Sequence, residues 1–169
     1  MSDAMRNAAL SAVLNIFETM FFTFLEPVEE NPLSPEVLPE PEKETGYLPQ
    51  PQGPWFLKSE IRFSGAQTGQ LQLILPYDLG ETLAMNFLGF EEEVSESQVL
   101  DMGCELTNMI CGNLFSVFDK TAVYTLGVPS IQKISFPDEA PPDKPSDLVL
   151  YFSAEGQPIT LQIQFDPHQ

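Results

Sequence analysis

The sequence predicts an α+β fold, a mostly antiparallel β-sheet packed against long helices. Three observations predict it. Apolar residues recur at helical spacing in the first 25 residues and again between about 95 and 119; strand-like runs come in hairpin pairs; and no strand–helix alternation recurs that would build a parallel sheet. With 169 residues and 43% hydrophobic content, the chain is long enough for one core, so a single domain over residues 1–169 is expected.

In chain order, Leu10, Val13, Leu14, Phe17, Phe21 and Phe24 fall on one helical face within NAALSAVLNIFETMFFTFLEP. The stretch is apolar enough to pass for a signal or membrane segment. Asn15 and Glu18 interrupt it, however, and no small-residue cleavage site follows, so it reads as a soluble amphipathic helix. Residues 26–54 hold prolines at 27, 32, 35, 39, 41, 49, 51 and 54 and seven glutamates between 26 and 44. Such a segment buries too little apolar surface to offset its ordering entropy and lacks many backbone donors, which predicts an extended acidic loop, either a passive insertion or a docking arm.

WFLKSEIRF and TGQLQLILP then alternate as a β-hairpin turning at residues 65–69. YDLGETLAMNFLG reads as a helix with Asp78 as its N-cap and Gly89 near its end. Ser95 is the cap candidate for a long helix running to about Asp119. Beyond it, AVYTLG, SIQKISF, LVLYFSA and ITLQIQF are strand-like, with an acidic turn at 137–145 and a hairpin tip at 156–158.

Twenty-five acidic against seven basic residues, a formal charge of -18, argue against nucleic acid or anionic lipid as partner, since both are bound through Lys and Arg. A field of this sign favours a partner with a basic patch, or serves solubility alone. Cys104 and Cys111, the only cysteines, are seven apart on one predicted helix. That spacing separates their Cα atoms by roughly 10 Å, beyond the ~7 Å reach of a disulfide, and a reduced cytoplasmic setting is expected. Both thiols read as core fillers rather than nucleophiles. His168, the one histidine, sits near the end of the sequence and supports neither a histidine triad nor a histidine metal site, and no Walker-type glycine loop is present.

The long helix carries the candidate site. Winding residues 98–119 at 3.6 per turn gathers Gln98, Asp101, Glu105, Asn108, Gly112, Ser116 and Asp119 into one sector. Val99, Leu100, Leu106, Ile110, Leu114, Val117 and Phe118 take the other sides, with Met109 and Phe115 flanking the stripe. A solvent-facing stripe is one explanation. Against it, the stripe lacks Lys and Arg, and Gly112 costs ~1 kcal/mol relative to Ala, which is reasonable where another surface must approach closely. Glu105 and Asn108, three apart, are surface neighbours with Cβ atoms roughly 5 to 6 Å from each other. A carboxamide both donates and accepts, so it orients a water molecule without ionising, while the carboxylate holds a cationic group.

Asp101, Glu105 and Asn108 match the D/S-x-x-x-E-x-x-N signature of the CheC, CheX and FliY phosphatases, which this chain resembles, and Gly112 and Asn113 look like its usual continuation. The element order from about 55 to 166 also looks CheX-like. The resemblance implies a hydrolase acting on the aspartyl phosphate of a CheY-like response regulator in chemotaxis or two-component signalling. In that role Glu105 engages a regulator lysine, Asn108 positions the attacking water, and Asp101, Met109 and Gly112 line the partner-binding face. It implies no cofactor on this chain, with Mg²⁺ held by the regulator, and a homodimer formed through sheet edges. CheC-type members carry the signature twice; here the matching stretch of the first helix reads Leu14, Glu18, Phe21, without the amide, so one site per chain is expected. The alternative is a catalytically inactive CheX-like adaptor that docks the same partner.

Overall fold

In the computed structural model, which describes residues 3–31, 54–89, 93–135 and 146–167, three helices lie on one face of a seven-stranded antiparallel sheet. The elements are α1 (Asp3–Phe21), β1 (Glu26–Val28), β2 (Trp55–Gly65), β3 (Gly69–Pro76), α2 (Tyr77–Leu88), α3 (Glu96–Phe118), β4 (Tyr124–Leu126), β5 (Ser130–Ser135), β6 (Leu148–Ala154) and β7 (Gln157–Phe165). The sheet runs β1-β6-β7-β3-β2-β4, and β5 also pairs with β2.

Period-two alternation decides which face is buried. Leu57, Ile61 and Phe63 of β2, Leu71, Leu73 and Leu75 of β3, Leu148, Leu150 and Phe152 of β6, and Ile159, Leu161 and Ile163 of β7 point under the helices and are buried. In the registers Leu73↔Leu161 and Leu150↔Leu161 this row is continuous across the sheet. The opposite face is polar: Gln70 donates to Gln164 at 3.1 Å, Gln72 donates to Glu60 at 2.7 Å, and Arg62 pairs with Asp166 at 2.7 Å. α1 fills the other side of the core with Met5, Ala8, Ala9, Ala12, Val13, Ile16, Phe17 and Phe21, and its alanines let it lie close along α3, the helix it packs against most extensively.

Several expectations are corrected. Phe24 lies beyond the end of α1 and is exposed, because Phe22 turns the chain with a positive φ of 53°. The segment expected as loop from about 26 begins as a strand: Glu26, Pro27 and Val28 pair with Ser153, Phe152 and Tyr151. Pro27 has no N–H to offer, which suits it to this edge position. Residues 32–53, the rest of that acidic segment, lie outside the described residues, as does the turn expected at 137–145. The N-cap of α2 is Pro76, with Asp78 already in the first helical turn and no side-chain cap bond; Asp78 instead meets the positive end of the helix dipole. The β6–β7 tip is Glu155–Gly156, with φ of 52° and 83° between the paired Ala154 and Gln157, a two-residue loop of the type that matches strand twist. Gly89 closes α2 in the left-handed conformation as expected.

Candidate functional site

α3 starts on a capping box. The Ser95 hydroxyl accepts from the Gln98 amide at 3.3 Å and the Gln98 side chain accepts from the Ser95 amide at 2.8 Å, so two donors of the first turn are satisfied and the start of the helix is fixed. Lys133 of β5 ties the same end down, with its ammonium 3.3 Å from Glu96, 4.0 Å from the Tyr77 ring centre and 5.5 Å from that of Trp55. At the other end, Phe115 is buried between Phe63 and Tyr124, with ring centres 4.6 Å and 4.0 Å away. Phe115 therefore belongs to the core and does not flank the polar stripe. Asp119 ends the helix and turns the chain: its carboxylate accepts from the Thr121 hydroxyl and from the amides of Thr121 and Ala122, which hold its carboxyl below the usual carboxylate range.

Between these anchors Val99, Met102, Leu106, Ile110 and Leu114 bury the inner side of α3. One polar link crosses this apolar interface. Thr107, fully buried, donates to the Gly103 carbonyl at 2.9 Å and shares a hydrogen bond with the buried Ser59 hydroxyl of β2. This link pins to the sheet the very turn that carries Glu105 and Asn108. Thr107→Val leaves Ser59 with only a 3.5 Å contact to the Leu73 carbonyl, so a loss of about 1–3 kcal/mol is expected, whereas the Ser59→Ala/Thr107→Val pair recovers most of it. Urea unfolding of the three variants measures this, and a double variant no more stable than Thr107→Val contradicts it.

On the outer side, Asp101 and Glu105 are exposed, and Asn108, Met109 and Gly112 are half-buried. Neither Glu105 nor Asn108 makes a side-chain hydrogen bond or ion pair among the described residues. The sector drawn from helical spacing is thus outward-facing at the acid and the amide, and both keep their full bonding capacity for another molecule.

At Gly112 a Cβ would lie 3.7 Å from Leu126 Cδ1, an ordinary contact, so nothing among the described residues demands a glycine there. The tighter position on α3 is Gly103, where a Cβ would meet Ile131 Cδ1, the tip of a flexible side chain that would have to turn aside. Sequence reasoning missed Gly103, Ser59 and the flank formed by residues 126–129. A glycine and a threonine four apart on the apolar side of an amphipathic helix were the available signal.

The first-helix stretch offers no second site. Glu18 is exposed, but Phe21 is buried and stacks on Phe87 at 5.2 Å. Both cysteines are free. Burial pushes the Cys111 thiol up to about 12, and burial reinforced by Asp101 raises that of Cys104, so neither is a thiolate nucleophile at neutral pH. Among the described residues no cluster of three or more His, Cys, Asp or Glu is placed to hold a metal ion, and no helix is long and apolar enough to cross a membrane.

Comparison with known proteins follows the same lines. Residues 59–152, which include all of α3, match the family model described as chemotaxis phosphatase CheX. Among solved structures, the chemotaxis protein CheX from Vibrio vulnificus is 18% identical with a TM-score of 0.72 over 98% of this chain and 100% of that one. A CheC-like superfamily protein from a Shewanella species is 20% identical with a TM-score of 0.71, over 99% and 100% of the two chains. A CheX–CheY–beryllofluoride–magnesium complex from Borrelia burgdorferi is similar at 15% identity and a TM-score of 0.65, over 96% and 98%. At these identities the structural likeness shows a shared fold. No curated protein matches the chain by sequence.

Proposed function

This chain belongs to the CheX family of chemotaxis phosphatases, and from that premise we propose that it hydrolyses the aspartyl phosphate of a CheY-like response regulator through Glu105 and Asn108. The observation that carries the reading is the outward, unengaged placement of that acid and amide on one turn of a helix anchored at both ends. Glu105 takes the regulator lysine beside the phosphoaspartate, which fixes the two proteins relative to each other. The Asn108 amide accepts a proton-bearing edge of a water molecule and turns its lone pair toward phosphorus. Water forms the new P–O bond as the bond to the aspartate oxygen breaks. The aspartate leaves as a carboxylate, and inorganic phosphate carries away the water's oxygen together with its two protons. Magnesium, held by the regulator, neutralises charge on the phosphoryl oxygens; this chain supplies position rather than a titrating base.

The test is phosphate release from a cognate phosphorylated receiver with and without this protein. Wild type is expected to shorten the phosphoryl lifetime. Glu105→Ala is expected to raise KM by roughly tenfold, the effect of losing one partner of an interfacial charge pair. An unchanged lifetime at stoichiometric wild-type protein leaves a docking adaptor as the function. The homodimer through sheet edges is part of the same proposal, and a light-scattering mass of 18.8 kDa at micromolar concentration overturns it.

A further inference from the structure

Resting on the phosphatase reading, we infer that Leu126–Pro129, the connection from β4 to β5, is a preformed docking wall for the phosphorylated receiver, with Val128 as its apolar contact beside Asn108. Cys104, Asn108 and Gly112 are spaced i, i+4, i+8 and form one ridge of α3. The connection touches both ends of that ridge: Leu126 Cδ1 lies 3.7 Å from the Cβ direction of Gly112, and the Pro129 carbonyl lies 4.0 Å from Cys104 Sγ. Eight helical residues rise about 12 Å and three extended residues span about 10 Å, so the segment runs alongside the whole ridge and passes Asn108 on the way.

The segment is fixed rather than loose. Gly127 donates its amide to the Arg62 carbonyl at 2.8 Å, and Pro129 limits its own backbone. Held at these two points, Val128 turns its side chain outward and is 92% exposed, the most exposed large hydrophobic among the described residues. A chain carrying 25 acidic residues leaves a bare valine on the segment that runs beside its candidate site. The occupant that fits is the partner already required to bring a phosphoaspartate to Asn108: any body large enough to reach that amide also covers the wall beside it. A wall ordered before binding costs little entropy when covered and contributes contact area. The receiver surface that meets it borders the phosphoaspartate and is apolar.

The experiment uses the full chain and the receiver domain from the same organism that binds it most tightly when activated with beryllofluoride and Mg²⁺. Val128→Asp is expected to raise KM, and the Kd for that receiver activated with beryllofluoride and Mg²⁺, by roughly tenfold or more. The turnover at saturation is expected to change less than about twofold, the signature of lost binding shared by ground and transition states. Thr82→Asp, on the exposed side of α2, controls for the added charge. An unchanged KM, a fall confined to kcat, or a change in light-scattering mass that marks Val128 as a self-association surface each overturns the inference. If wild type leaves the phosphoryl lifetime unaltered, the phosphatase reading fails on its own, and the beryllofluoride binding arm still tests the wall.

Discussion

Asn108→Ala is expected to lower stimulated dephosphorylation by roughly 100-fold, because a water left to find its own orientation forfeits the near-attack geometry that a positioned amide provides. Binding is expected to survive, since Glu105 and the apolar surroundings of the site are untouched, so the loss falls on kcat. The half-buried Asn108 makes no hydrogen bond within the described residues, so its removal leaves no buried partner unsatisfied, and the melting temperature is expected to stay within a degree or two. Stopped-flow measurement of receiver dephosphorylation gives the rate. A mutant as fast as wild type removes Asn108 from the mechanism. Asn108→Asp is a sharper comparison, because it keeps the shape but loses the donor and adds charge facing a phosphoryl group.

Phe63→Ala is expected to cause the largest loss of stability, about 3–5 kcal/mol, out of the roughly 5–15 kcal/mol that a domain of this kind holds. Phe63 is buried at the point where β2 supports the C-terminal half of α3. It meets Phe115 at 4.6 Å and Phe165 at 5.8 Å, and Phe115 in turn stacks on Tyr124 at 4.0 Å. Removing the ring opens a cavity beneath α3 and removes two aromatic contacts, with Phe115 and Phe165. Thermal melting is expected to drop by roughly 6–20 °C at ~2–4 °C per kcal/mol. A loss below about 1 kcal/mol contradicts the assignment of this cluster as the foot of α3.

The two effects separate what the sequence displays from what it conceals. The amphipathic period of α3, its Ser95 cap and its end at Asp119 are legible because each rests on residues within one or two turns of each other. The alternation in LQLIL and ITLQIQF is legible for the same reason, and it gives the inward face of the sheet correctly. Long-range choices are not legible. Nothing local in Glu26–Val28 shows that it pairs with Ser153–Tyr151, more than a hundred residues away, and so it reads as the start of a proline-rich loop. Asp78 has the chemistry of an N-cap, yet the strand feeding α2 ends in Pro76, whose fixed φ already starts the helix two residues earlier.

At the site, helical spacing alone puts Glu105 and Asn108 outward, and the structure agrees. The same spacing misjudges Phe115, which is decided by β4, the strand that follows α3 and folds back along its flank. Gly103 and Thr107 escaped notice because their partners, Ile131 and Ser59, lie on strands whose register no local pattern reveals. These residues seat the turn of α3 that carries Glu105 and Asn108.

A crystal structure of this protein bound to its receiver, activated with beryllofluoride and magnesium, tests the central claim most directly. The Glu105 carboxylate is expected on the receiver's active-site lysine and the Asn108 amide hydrogen-bonded to a water in line with the beryllium–aspartate bond. A complex in which the receiver sits elsewhere, with both side chains still facing solvent, contradicts it.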